Sequence, residues 1–130
     1  MRKILSVLLA LMLLSILPAG CGLAEGNGVA VNDMTGRSIT LDAPATRVVA
    51  LTAADCEILY ALGAGDTLVG RGEYCDYPEA VQSVPAVQSG TETNLEQIIA
   101  LKPQVLLMNT MAQTEDQVNQ LEAAGIRVVV

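Results

Sequence analysis

An open, mainly parallel α/β sheet with flanking helices is the fold class this sequence predicts, and three observations carry the prediction. Short β-branched runs alternate with helical stretches of about ten residues, the rhythm of βα units joined by right-handed crossovers. A helix, a glycine and a strand follow one another twice, at Ala61 to Val69 and at Leu121 to Val130. Of the 130 residues 52% are hydrophobic, yet Phe and Trp are absent. A core must then rest on Leu, Val, Ile, Ala and Met, which suits strands buried on both faces.

In chain order, Val29–Val31 and Ser38–Leu41 flank Asn32, Asp33 and Gly36 and read as a hairpin. After Pro44, Arg47–Leu51 reads as a buried strand. Thr52 with Asp55 three residues on is an approximate capping box; Ile58, Leu59 and Leu62 fall on one helical face, and Gly63 and Gly65 stop the helix. Thr67–Val69 is the next strand. Residues 71–93 have little periodicity and carry Gly72, Pro78, Pro85 and Gly90, which predicts a long loop with an extended piece near Val84–Val87. Asn94 and Gln97 form a second capping box, with Leu95, Ile98 and Ile99 facing the core and Pro103 ending the helix. Val105–Met108 is a strand. Thr114 and Gln117 cap a third helix bearing Val118 and Leu121, and Gly125 closes it before Ile126–Val130. No helix follows to cover that strand, so a continuing domain is the expectation.

Ligands of such sheets bind outside the carboxyl ends of the strands. Three segments leave those ends: Thr52 to Asp55, Arg71 to Tyr77, and Asn109 to Gln113.

The amino-terminal segment reads as a targeting signal. Arg2 and Lys3 precede an apolar stretch from Ile4 to Leu17, followed by Pro18, Ala19, Gly20 and Cys21. At about 1.5 Å per residue that stretch falls short of a hydrocarbon core of roughly 30 Å, which favours a secretory leader over a permanent span. Small residues immediately before Cys21 resemble the lipobox of bacterial lipoproteins, although Pro18 stands where Leu is usual; ordinary cleavage after Ala24 is the alternative. Residues 1–20 are thus read as a lipoprotein signal peptide, 21–28 as a linker, and Cys21 as the lipidation site. Two or more acyl chains there would anchor the exported protein stably to the cell membrane. Export leaves Cys56 and Cys75 as an even pair in an oxidising compartment. They either form a disulfide, worth on the order of 3 kcal/mol in the chain-entropy model, or remain as two half-buried thiols.

Composition excludes much else. Seven Lys and Arg against 14 Asp and Glu give a net charge of −7, deepened further if Arg2 and Lys3 leave with a leader. Such a chain offers no basic patch for nucleic acid and is repelled by anionic lipid headgroups. With no His, Ser-His-Asp and Cys-His catalysis and His-based zinc sites are absent. Gly63-Ala64-Gly65 precedes a strand instead of following one, so it is no dinucleotide loop. Asp55, Glu57, Glu73 and Asp76 read as helix caps and solvated surface rather than an acid/base set. No enzyme and no resident cofactor are expected.

Eight short pieces then fall into one register: R-V-V-A-L at 47–51, Glu57-Ile58-Leu59, A-L-G-A-G-D at 61–66, V-G at 69–70, C-D-Y-P at 75–78, N-L-E at 94–96, A-L-K-P at 100–103 and L-E-A-A-G-I at 121–126. In order and spacing they resemble the iron-siderophore and cobalamin class of ABC-importer substrate-binding proteins, and D-M-T-G-R-S-I-T-L at 33–41 is similar to that family's entry hairpin. The resemblance implies two α/β lobes joined by a long helix, with residues 29–130 forming the first lobe and the second lobe missing. It implies capture of a metal chelate, a cobalamin-like corrinoid or a ferric siderophore or haem, and delivery to an ABC permease and its ATPase.

By position, Glu96 would dock against permease arginines, and Tyr74 would contact ligand. Thr52 and Asp55 would line the cleft floor, and Arg71 would be the cleft-side cation of this lobe. Gly90 stands where some relatives carry an Arg or an aromatic, which disfavours a strongly anionic siderophore. A stand-alone lipoprotein sensor or adaptor without a small ligand is the alternative that the residues leave open.

Overall fold

A computed structural model describes residues 28–130 apart from Thr91. The signal segment 1–20, Cys21 and the linker as far as Asn27 lie outside the described residues. Val29–Asn32 (β1) and Ser38–Leu41 (β2) pair antiparallel as a separate two-stranded sheet. The remaining strands are β3 (Val48–Ala50), β4 (Leu68–Gly72), β5 (Ala86–Val87), β6 (Val105–Leu107) and β7 (Arg127–Val129), and the helices are α1 (Ala53–Ala61), α2 (Leu95–Ala100) and α3 (Glu115–Ala123). All pairings in the five-stranded sheet are parallel, in the order β5-β4-β3-β6-β7. The chain therefore winds outward from β3 through β4 to β5, then returns to lay β6 on the other side of β3. Strand order reverses at β3.

Strands buried on both faces send alternate side chains to opposite layers. Val49, Leu106 and Val128 join Ile98 of α2 and Val118 and Leu121 of α3 in one cluster. Ala50 and Leu68 join Cys56 of α1, Cys75, and Val81 of the 3-10 turn Glu79–Ser83 in the other. The expected open parallel sheet with flanking helices is what the chain forms.

Three elements depart from expectation for physical reasons. On α1, Ile58 and Leu62 are 56% and 76% exposed, while Cys56 is buried and Leu59 packs against the second cluster. The helix is apolar on two sides, and of the three residues that periodicity groups on one face only Leu59 packs inward. The second strand of the sheet begins at Leu68 after a 3-10 turn at Gly65–Thr67 and runs on to Gly72, placing Arg71 in a strand instead of a loop. Gly72 reads as a loop residue, yet it is a close-approach residue: a Cβ there would sit 2.3 Å from the Leu51 carbonyl oxygen. Lastly, the Asn94 side chain accepts from Gln97 N–H, but Gln97 Oε1 accepts from Gln88 N–H at 3.0 Å instead of returning to Asn94. Only Thr114 and Gln117 make the full reciprocal box.

Two arginines tie elements together. Arg47 Nε donates to Lys102 O at 3.0 Å and its guanidinium also reaches Leu101 O, capping the carbonyls that α2 leaves unpaired. Arg37 pairs with Asp33 at 2.8 Å and Glu122 at 3.0 Å and donates to Val128 O, latching the β1–β2 hairpin onto α3 and β7.

Candidate functional site

Where the strand order reverses, the loops leaving neighbouring carboxyl ends diverge and open a crevice. Here that place is the edge beyond β3, with the loop after β4 on one side and the loop after β6 on the other. Thr52, two residues beyond β3, caps α1: its Oγ1 accepts from Asp55 N–H at 3.2 Å and donates to Asp55 Oδ2 at 2.5 Å. The two side chains are half-buried and hold each other, so the structure brings Thr52 and Asp55 together as one polar unit beyond the carboxyl end of β3.

The loop after β4 is built by Arg71. Its Nε donates to Val84 O at 3.1 Å and its Nη1 to Gly72 O at 3.2 Å and Glu73 O at 3.5 Å. The guanidinium is thus occupied with main-chain carbonyls at the root of the loop, a use that sequence gave no sign of. Cys75 N–H donates to Gly72 O at 3.0 Å, closing a turn that lifts the residue before it outward. Tyr74 is 76% exposed and Tyr77 66%, two aromatic faces offered to solvent from a loop whose base is buried. Cys56 and Cys75 meet beneath that base, both free thiols and fully buried.

Beyond β6, Asn109 Oδ1 accepts from Met111 N–H at 2.9 Å, and Met111 is 92% exposed. Gln113 Nε2 donates to Thr93 Oγ1 at 3.1 Å, joining this loop to the one before α2. Its Oε1 is buried without a partner among the described residues. A cavity of about 470 Å³ adjoins, lined by Thr110, Gln113, Met108, Val118 and Arg37 among others. Met111 and Gln113 fall within or beside the loop range the sequence singled out, but no residue-level signal marked them. Glu96 lies exposed in the first turn of α2, its helix capped by Asn94. Among the described residues no cluster of three His, Cys, Asp or Glu is placed to hold a metal ion, and no helix is long and apolar enough to cross a membrane.

A three-layer α/β unit with aromatic and polar loops around a topological switch point defines a binding-protein lobe. Residues 48–130 match the periplasmic binding protein family, and the chain belongs to it. The chain is 32% identical over 143 aligned positions to the ABC transporter substrate-binding lipoprotein YvrC of Bacillus subtilis, covering 99% of this chain and 45% of that protein. To the vitamin B12-binding protein of Salmonella typhimurium it is 41% identical over 85 residues, 65% of this chain and 31% of the relative. Among solved structures it superimposes on the periplasmic vitamin B12 binding protein BtuF of Vibrio cholerae with a TM-score of 0.59 at 32% identity, over 65% of this chain and 33% of that one. A periplasmic heme binding protein from Pseudomonas aeruginosa gives a TM-score of 0.62 at 29% identity, with 65% and 30% covered. The chain spans less than half the length of the relatives it matches, and the fold corresponds to one lobe of a two-lobed binding protein. The relatives are binding proteins rather than enzymes.

Proposed function

We propose that this chain is the first lobe of a substrate-binding lipoprotein that captures a metal chelate, a corrinoid or a ferric siderophore or haem, and hands it to an ABC permease and its ATPase. The observation that carries the reading is the pair of exposed tyrosines at the switch-point edge. A flat ring with a hydroxyl at its rim can lie on a macrocycle and still hydrogen-bond its periphery. Thr52 and Asp55 supply a polar floor beside them, and Met111 a soft apolar contact from the facing loop. Arg71 acts through the loop, by holding the carbonyls beneath Tyr74, rather than as a free cation toward ligand. That relatives bind vitamin B12 and heme supports the class of ligand.

One lobe covers one side of a ligand. Closure of a second lobe over it would bring two docking surfaces to the spacing of the permease, a shift in population with no covalent chemistry. Glu96 is the docking carboxylate of this lobe; its exposure leaves it free to meet a basic partner, and its place in the first turn of α2 also favours the helix dipole. Cys21 carries the lipid anchor, which holds the protein at the outer face of the cell membrane.

Isothermal titration with cyanocobalamin, haemin and a ferric siderophore tests the reading. One of the three is expected to bind, and Tyr74→Ala to weaken it by about tenfold, the contribution of one aromatic contact. Absence of binding by all three, in the chain joined to whatever second lobe follows it, would overturn the chelate reading and favour the ligand-free adaptor.

A further inference from the structure

Cys56 and Cys75 share one buried cluster with Ala50, Leu68 and Val81, and neither is exposed to solvent. They come from different elements. Cys56 lies in the first half of α1 with its thiol 3.8 Å from the Ala50 carbonyl oxygen, and Cys75 closes the turn that follows β4. The two thiols interact: burial, and then the Cys75 thiol beside it, push the Cys56 thiol up to about 12. Two cysteines from separate elements, side by side beneath an exposed aromatic loop, are placed for a cross-link between helix and loop.

We infer that Cys56 and Cys75 form a disulfide when the chain folds in an oxidising compartment, and that this bond clamps the Glu73–Tyr77 loop onto α1. The clamp's use in presenting Tyr74 rests on the proposed binding function; the bond itself does not. The chemistry is thiol–disulfide exchange with a protein disulfide oxidant or oxidised glutathione. The Cys75 thiolate attacks the acceptor disulfide and expels one acceptor sulfur as thiolate. The Cys56 thiolate then attacks Cys75 in the mixed disulfide and expels the second. The cysteine pair loses two electrons and two protons, and the reduced acceptor gains both. In native packing neither sulfur can be reached, and Cys56 is almost wholly protonated near neutral pH. Exchange therefore belongs to the folding chain, and oxidation of reduced folded protein is slower than that of the denatured chain.

The test refolds the reduced full chain in a glutathione buffer of oxidising poise, blocks free thiols with iodoacetamide in denaturant, and maps tryptic peptides. Cleavage after Arg47, Arg71 and Arg127 puts Cys56 and Cys75 on different peptides. The expected result is a reductant-sensitive cross-link between those two peptides, absent from a Cys56→Ala/Cys75→Ala variant. Amide hydrogen exchange at residues 73–77 is expected to be about tenfold slower in the oxidised than in the reduced protein. Alkylation of both cysteines, or a cross-link to Cys21 in their place, would overturn the bond. Equal exchange in the two forms would overturn the clamp. Neither readout uses a ligand, so a failure of chelate binding leaves both outcomes legible.

Discussion

Gly72 has no room for a methyl group. The nearest atom to a Cβ there would be the Leu51 carbonyl oxygen, part of the backbone just beyond β3 and unable to swing aside as a side chain can. Gly72→Ala is therefore expected to cost about 1–3 kcal/mol, the range for overpacking, read from the midpoint of urea unfolding. Asp33 is a second residue whose environment decides its behaviour. Burial pushes its carboxyl pKa up, but the Thr35 hydroxyl, the Arg37 backbone N–H, the Arg37 guanidinium and the Thr35 N–H together outweigh burial and hold it well below the usual carboxylate range. A depressed native pKa contributes stability that is present above the unfolded value, about 4, and is lost as pH falls below it. The deficit of Asp33→Asn against the parent should thus be constant between neutral pH and about 5, and shrink in more acidic solution. A deficit that grew on acidification would contradict the hairpin latch. Sequence marked both residues as turn formers and stopped there: the Leu51 carbonyl over Gly72 comes from a distant part of the chain, and the convergence of Thr35 and Arg37 on Asp33 depends on how the folded turn aims their side chains.

At the scale of elements, periodicity located every helix but did not orient all of them. On α3, polar residues surround Val118 and Leu121, so only one face can turn inward, and it does. On α1, apolar residues occupy positions all round, and the buried side was settled by what the sheet offers: a space lined by Ala50 and Leu68 that Cys56 fills. Leu62→Gln should accordingly change stability by less than about 0.5 kcal/mol, as surface substitutions do, whereas Leu121→Ala should cost about 2–5 kcal/mol. Paired denaturation curves of the two variants distinguish them at once. Caps were legible to different depths. Thr114 with Gln117 closed as a full box, and Thr114→Ala is expected to lose about 1 kcal/mol. Gln97, by contrast, serves the segment before its own helix, a partner whose approach only the folded chain defines.

For the whole molecule, the alternation of strands and helices announced a parallel sheet, but strand order was not readable from it. The return of the chain to the far side of β3 is what makes β3 the switch point, and it arises from which strands pair, a fact carried by no single residue. The candidate site was half legible for the same reason: the loops could be read from the sequence, while the commitment of Arg71 to main-chain carbonyls and the buried Gln113 Oε1, without a partner among the described residues, could not. The central claim is that a chelate sits on the edge beyond β3, against Tyr74 and the loops flanking it. Backbone amide NMR shifts recorded while the chain is titrated with diamagnetic cyanocobalamin or a gallium-loaded siderophore test this most directly. The expected result is weak, fast-exchange binding, with shifts confined to residues 52–55, 73–77 and 109–113 and largely lost in Tyr74→Ala. Shifts centred on any other surface, or a perturbation that survives Tyr74→Ala unchanged, would contradict it.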